Sequence, residues 1–592
     1  MRIFKRIFIV VLLILLPLVC SCSKKDGTDF NFASYKTAEK VPYKIFFLDE
    51  YFNEKASIYN PHLASASICL ALAGFSSETR QDFENSAVNS KELFTNLGFS
   101  DFLSNKDGIS RPNADSFGVY IARKKISDYT LLGITVRGAG YLSEWSSNFK
   151  IGTNDKFAQG FYEASEIYLN HLKSYIETFN VEGHIKIWTA GFSRGGASVN
   201  IACGRVCDAL KNNENIISSK VSYDKDDIYA YSFEAPRGKV ASVSGNEIIE
   251  KGNDYSNIHN VLNLNDVVPF VAPYAYSFVR YGTDLFLPDI ITDLNYETQI
   301  KTVKKRIKSL PNYTVIGDYS LDKFSDTSKL SILNSKSKYV NFSAYPFLSD
   351  FVDRLCEGIG TRSDYVDKIE PAIRDIFELL YEKLSPRESL INFGISIGKN
   401  ILLYDMNEVL LFDLQHNRER FIKDLDPILT AAFRLMNKEI NVKELTTLVK
   451  TMLESVLNIL STKDSFNLIR PLLNFDNLKA IGGAHLPELA LSHITALDSN
   501  YNNSNLTLKS SFNKLIIKTS NKFELLINNE RYVYFNDNEI LSKLVLKHED
   551  DTYIIYLPSD VEFSINSFNN ELEYELYNHN NKYLNEVLIR RG

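Results

Sequence analysis

Ser193, Asp266 and His485 have the types and settings that nucleophilic acyl transfer needs. A serine hydroxyl attacks a carbonyl carbon only when a base takes its proton, and the base works best with a carboxylate holding its other nitrogen. Ser193 is the centre of Gly191-Phe192-Ser193-Arg194-Gly195, which Gly196 and Ala197 follow. In a Gly-x-Ser-x-Gly pattern the serine stands clear of the backbone on a strained turn, so the positions two before and two after it must lack bulk. Asp266 comes just past the apolar run from Ile258 to Leu264 and just before Pro269, where a strand ends and its loop faces a site. Behind such an elbow the chain order is serine, acid, histidine. Among the later histidines, His416 lies in a helical region, and His548 and His579 lie in a β-rich tail. His485, in Ile481-Gly482-Gly483-Ala484-His485-Leu486-Pro487-Glu488, has the loop setting a base requires, with His493 on a predicted helix as the alternative. A tetrahedral oxyanion also needs backbone N–H donors. Arg194, at the positive end of the helix that follows Ser193, offers one. Thr135-Val136-Arg137-Gly138-Ala139-Gly140-Tyr141, a strand that stops at glycines, offers a second at Gly138 and Ala139.

The elements that must hold these residues follow from periodicity. The stretch from Gly183 to Phe192 alternates as a buried strand does, and Arg194 to Leu210 is small and apolar at helical spacing, giving strand, sharp turn, helix. Phe117 to Ile126 and Leu131 to Arg137 read as adjacent strands, Ile228 to Phe233 and Ile258 to Leu264 as buried ones. Phe157 to Thr178 reads as a long amphipathic helix, and Pro61 to Phe75 as a buried helix opening on proline. Strands alternating with helices predict an α/β fold with a largely parallel sheet.

From about residue 290 to 479 strand signals vanish, and Val366 to Leu384, Asn417 to Asn437 and Val442 to Leu460 have helical periodicity. A large helical insertion between acid and base should sit above the site as a cap. At its start Lys301, Lys304, Lys305, Arg306 and Lys308 accompany Ile300, Val303, Ile307 and Leu310, which suits either a basic amphipathic helix for anionic headgroups or a solvated surface helix. After the polar linker Asn500-Tyr501-Asn502-Asn503-Ser504-Asn505, closely spaced β runs from Leu515 to Tyr577 predict a small all-β, sandwich-like module. The expected order is leader 1–22, tether 23–42, core 43–290, cap 291–480, a return segment 481–498 carrying His485, and the β module 499–592.

A chain of 592 residues needs two to four domains. Arg2, Lys5 and Arg6 precede an apolar run from Ile7 to Leu18, too short for a comfortable membrane span. The following Leu18-Val19-Cys20-Ser21-Cys22 resembles a bacterial lipoprotein signal, with Cys22, preceded by the small Ser21, as the lipidated first residue. An ordinary secretory signal or an uncleaved anchor is the alternative, and each puts the body outside the cytoplasm. Cleavage there leaves 63 Lys and Arg against 73 Asp and Glu, a net charge of −10, which argues against nucleic acid as a partner. Cys69, Cys203, Cys207 and Cys356 remain; Cys203 and Cys207, one helical turn apart, read as small buried apolar residues rather than a bridge or metal pair. No Cys/His spacing matches a zinc site and no phosphate-binding loop is present, so neither a metal nor a cofactor is expected.

Taken together, Arg137-Gly138-Ala139 with Glu144-Trp145 and Asn148, then Gly191 to Ala197, Tyr231-Ser232-Phe233-Glu234-Ala235-Pro236-Arg237 and Asn265-Asp266-Val267-Val268-Pro269 look like the class 3 lipase family of α/β-hydrolases. Ala484 to Glu488 and Phe278-Val279-Arg280-Tyr281-Gly282 resemble a bacterial lipase-like branch with a helical insertion before the histidine. The resemblance covers about residues 43–290 and 480–497. It implies an α/β-hydrolase core and hydrolysis of carboxylic esters, often of lipids, by a Ser193–His485–Asp266 triad without cofactor. Two departures stand out: Ala139 where family members commonly have Ser or Thr, and Phe192 in place of the usual His or Tyr. The implied partners are a lipid or ester substrate and, through the N-terminal lipid, a membrane surface. A thioesterase or peptidase of the same fold is a second reading. A surface lipoprotein whose β tail recognises a glycan or protein is a third.

Overall fold

The strand Gly183–Phe192 can be buried on both faces because its alternate residues suit two different neighbours. Ile185 and Ile187 join an apolar cluster with the helices Gln159–Thr178 and Arg194–Lys211. Trp188, Ala190 and Phe192 join a second cluster with the helix Pro61–Gly74. The neighbouring strand Ile228–Phe233 divides likewise, Ile228 and Ala230 to one side and Tyr229, Tyr231 and Phe233 to the other. Strands covered on both faces read as continuous apolar runs, and each large side chain buried here contributes about 1.5–3 kcal/mol. Trp188 loses no hydrogen bond on burial, since its indole N–H donates to Ser67 Oγ at 2.8 Å. The helix carrying Ser67 begins where Asn60 Oδ1 accepts the N–H groups of His62 and Leu63, at 2.9 and 3.1 Å.

The computed structural model describes residues 27–33, 40–74, 85–110, 112–138, 142–244, 247–249, 253–308, 337–340, 343–383, 412–413, 416–435, 443, 446–447, 483–501, 508–536, 539–568, 572–579 and 583–589. Its central sheet runs in the order Thr283–Phe286, Ile258–Leu262, Ile228–Phe233, Gly183–Phe192, Tyr129–Val136, Val119–Ile126, Ser100–Ser104, with Val221–Ser222 pairing at the base of Gly183–Phe192. From Tyr129–Val136 to Thr283–Phe286 neighbours are parallel; the other edge is antiparallel. The sheet is therefore mixed. Ile126 pairs with Tyr129 across a two-residue turn in which Ser127 has φ 48°, and a connection that short permits only an antiparallel hairpin. Gly138, Ser193, Glu234 and Asp266 all come shortly after the carboxyl ends of four adjacent parallel strands, so one rim of the sheet collects them.

The tail forms two antiparallel sheets. Leu515, Ile517, Leu546, Ile555 and Leu557 of one share an apolar cluster with Phe523, Leu525, Ile527, Val533 and Ile565 of the other, as in a sandwich. Its outermost strand on one side is Ser337–Val340, from the segment where strand signals had vanished, paired with Val545–Glu549. Four residues carry too little pattern to be read as a strand alone, and the edge that completes this one lies two hundred residues further on. The module also packs against the core: Phe512, Val545 and Tyr556 cluster with Leu262, Leu264, Phe286 and Ile291, of which Leu264 is two residues from Asp266.

Two further readings change, and a third is decided between its two alternatives. Thr28–Ala33 and Lys40–Ile45 pair as a hairpin where a plain tether was expected; Tyr43 and Ile45 are buried. The helix expected from Val366 to Leu384 is two, Arg362–Lys368 and Glu370–Lys383, because Pro371 cannot continue the first and suits the start of the second. On Tyr296–Lys308 the apolar Ile300 and Val303 are buried with Leu489 and Ile494 of the helix Pro487–Leu497, so that face meets protein while Lys301 and Lys305 face solvent. Arg418–Leu435 is helical as read. The leader with Cys22, Leu310 and most of Val442 to Leu460 lie outside the described residues. Among the described residues no helix is long and apolar enough to cross a membrane, and Cys69, Cys203, Cys207 and Cys356 are buried and unpaired.

Candidate active site

Ser193 sits at φ 57°, ψ −128°, a region that a residue with a side chain rarely occupies. The turn is held from both sides: Ser193 N–H donates to Phe233 O at 2.9 Å and its carbonyl accepts from Ala197 N–H at 3.1 Å. A Cβ at Gly191 would lie 2.4 Å from the Gly195 backbone, and one at Gly195 2.8 Å from Val136 Cγ2, so no larger residue fits either position without displacement. The two small positions of the Gly-x-Ser-x-Gly pattern are thus required by crowding, from backbone at Gly191 and from the Val136 side chain at Gly195.

His485 joins the two other groups. Its Nε2 lies 2.9 Å from Ser193 Oγ and its Nδ1 2.5 Å from Asp266 Oδ2, across 292 and 219 residues of chain. Asp266 is fully buried, Ser193 nearly so, and the imidazole side chain is 16% exposed. Asp266 is oriented by Val268 N–H, which donates to Oδ1 at 2.9 Å. The loop of His485 is tied to the same region, since Asn263 Nδ2 donates to Ala484 O at 3.2 Å. Phe192, which cannot hydrogen-bond, lays its ring 5.0 Å from the imidazole and limits where that ring can go. Only one tautomer serves all of these contacts: Nδ1–H donates to the carboxylate, leaving Nε2 free to accept from the serine.

On the glycine-loop side Gly138 is buried beside the elbow, its Cα and N each 3.6 Å from where a Cβ at Gly195 would lie. Ala139 lies outside the described residues. Arg194 starts the helix behind Ser193, and its side chain, whose role the sequence did not suggest, is buried: Nη1 donates to Ser116 O at 2.8 Å and the guanidinium lies over the Phe117 ring. Glu144 receives Arg137 Nε and Nη2 at 3.0 and 2.8 Å and stands 3.9 Å from Arg194 Nη1. This fully buried cluster ties both ends of the glycine loop to the first turn of the elbow helix. Burial lowers the Arg194 pKa, an effect that Glu144 opposes.

The other histidines are elsewhere. His493 is buried on Pro487–Leu497 with neither ring nitrogen hydrogen-bonded, and burial lowers it to about 4. His416 is exposed and bonded to Phe412 O, His548 stacks on Tyr553, and His579 is partly buried against the rings of Phe286 and Phe512. Glu234, next to Asp266, was read only as part of a motif; a lone acid closing the apolar run Tyr231-Ser232-Phe233 was the signal available.

Two described parts of the insertion reach this rim. Ala344 N–H, at the start of the helix Ala344–Ile359, donates to Asn265 Oδ1 at 3.1 Å, one residue from Asp266. Phe377, on Glu370–Lys383, stacks on Trp145 and Phe149 just past the glycine loop, with centroids 6.4 and 5.8 Å apart.

No protein-family model matches the sequence, and no curated protein sequence matches it. Solved structures do resemble it. The Rhizomucor miehei lipase propeptide complex is 12% identical, with 43% of this chain and 76% of that one covered and a TM-score of 0.27. A lipase from Rhizopus microsporus var. chinensis is 14% identical, with 41% and 76% covered and a TM-score of 0.26. Lipase II from Rhizopus niveus is 15% identical, with 40% and 79% covered and a TM-score of 0.24.

Proposed function

We propose that this protein is a serine hydrolase of carboxylic esters, with lipid acyl esters as its substrate class. The observation that carries the proposal is the single imidazole within hydrogen-bonding distance of both a strained elbow serine and a buried aspartate. Ser193 Oγ attacks the ester carbonyl while His485 Nε2 takes its proton. The oxyanion is held by the backbone N–H groups of Arg194 and Ala139. His485 then gives the proton to the departing alkoxide, leaving an acyl ester on Ser193. Water, activated by the same imidazole, cleaves that ester and restores the serine. Asp266 stays ionised throughout and stabilises the imidazolium. The absence of the hydroxyl that a Ser or Thr at position 139 would add predicts a slower enzyme on simple lipids, since one oxyanion donor is worth about 10²–10³ in kcat.

The insertion acts as a cap in this reading. Its contacts with Asn265 on the acid side and with Trp145 and Phe149 on the glycine-loop side support that role, because a shift of these helices reaches both halves of the site. The basic start and apolar run of residues 1–22 support an extracytoplasmic protein anchored to a membrane by lipid on Cys22. The packing of the β module against Leu262 and Leu264, close to Asp266 in the chain, favours a buttress over a free-standing recognition domain.

Substrate class is tested by offering the full-length protein p-nitrophenyl esters of increasing acyl length, a thioester and a peptide anilide. Esters are expected to turn over fastest, and long acyl chains to be accepted. Cleavage of the anilide with esters untouched would overturn the assignment.

A further inference from the structure

Asp266 has a second acidic neighbour. Glu234 is 1% exposed, sits at φ 47° directly after Ile228–Phe233, and shares Asn263 with Asp266, whose N–H donates to the Asn263 carbonyl at 3.1 Å. A non-glycine residue at positive φ is uncommon and persists where its surroundings over-determine it. Here they do: Glu234 N–H donates to Val261 O at 2.9 Å, and Glu234 Oε2 accepts Asn263 N–H at 2.7 Å.

Two carboxyl groups can hydrogen-bond to each other only with one proton between them. Asp266 already receives Val268 N–H and faces His485 Nδ1, donors that favour its anion. Glu234 receives the Asn263 N–H alone. Its neighbouring cation, Arg280, is occupied: Nε and Nη2 pair with Asp284 at 3.1 and 3.2 Å, while Nη1 donates to Ala235 O and Pro269 O. The proton belongs on Glu234. In keeping with this, burial and then the charge of Asp266 push the Glu234 carboxyl well above the usual carboxylate range.

We propose that Glu234 is a positioning residue of the triad: its carboxylic acid donates a hydrogen bond to the Asp266 carboxylate and thereby sets how tightly Asp266 holds the His485 proton. The inference rests on the triad reading. Asp266 without this donor would concentrate more charge toward His485 Nδ1, and the imidazole would keep its proton to higher pH. Glutamine at 234 keeps an N–H donor of the same length; leucine removes it at similar volume.

The midpoint of the acid limb of kcat/KM for a p-nitrophenyl ester is measured for wild type, Glu234→Gln and Glu234→Leu, with Glu234→Ala in place of leucine if that variant does not fold. The midpoint in leucine or alanine should rise by about one pH unit, while glutamine stays at the wild-type value. A merely structural role would lower stability and leave the midpoint where it is, which would overturn the proposal, as would a glutamine variant that shifts like leucine. The same comparison by NMR titration of the His485 ring, in a Ser193→Ala background, needs no catalysis. A leucine-dependent shift there upholds the Glu234 coupling even if Ser193 proves not to be the nucleophile, and no shift refutes it whatever Ser193 does.

Discussion

Ser193→Ala is expected to lower kcat for p-nitrophenyl ester hydrolysis by roughly a millionfold, the scale on which nucleophile removal acts when the triad works as a unit. The alanine keeps Cβ, so the elbow at φ 57°, the bond from its N–H to Phe233 O and the helix start at Arg194 should survive unchanged. What disappears is the one oxygen 2.9 Å from His485 Nε2. Residual turnover over water should come only from binding and the oxyanion donors, about 10³–10⁴-fold. Urea unfolding of the variant serves as the control: an unchanged midpoint with lost activity assigns the loss to chemistry. A loss of less than tenfold would mean that Ser193 does not form the acyl intermediate.

Asp266→Asn should reduce kcat by about ten-thousandfold, by reversing the imidazole tautomer. Val268 N–H holds Oδ1 as an acceptor at 2.9 Å, so the new amide nitrogen takes the place of Oδ2, 2.5 Å from His485 Nδ1. An amide N–H directed there makes Nδ1 the acceptor and moves the ring proton to Nε2. The nitrogen facing Ser193 then carries a proton and cannot take another. Steady-state kinetics with KM and kcat separated would show the fall in kcat, and equal loss in kcat and kcat/KM marks an interaction made in the transition state. Near-wild-type turnover would deny Asp266 the role of orienting acid.

How much of this could be read from the chain depends on how local each cause is. The elbow is legible because part of its cause lies within five residues: a Cβ at Gly191 would meet the Gly195 backbone, although the one at Gly195 would meet Val136 from a distant strand. The Pro61–Gly74 helix is legible because almost every residue in it is buried, so its composition needs no partner to be interpreted. His485 could be singled out among histidines by its loop setting and by the resemblance of Ala484 to Glu488; its meeting with Asp266 spans 219 residues and no periodicity in the chain encodes it. The strand Ser337–Val340 was invisible for the same reason, since a sheet edge at Val545–Glu549 makes it a strand. The buried Arg137–Glu144–Arg194 cluster and Glu234 were missed because a charged residue beside a motif looks the same in sequence whether solvated or desolvated. Only packing separates the two, and these groups are buried beside Ser193 and Asp266.

The most direct measurement treats the full-length folded protein with a fluorophosphonate probe and locates the adduct by peptide mass spectrometry. Phosphonylation requires a serine made nucleophilic by its base, whatever the natural substrate. The expected result is one adduct, on Ser193, absent from Ser193→Ala and formed far more slowly in His485→Ala. Folded wild-type protein that takes up no probe, or that is labelled equally in the Ser193→Ala variant, would contradict a Ser193–His485–Asp266 hydrolase.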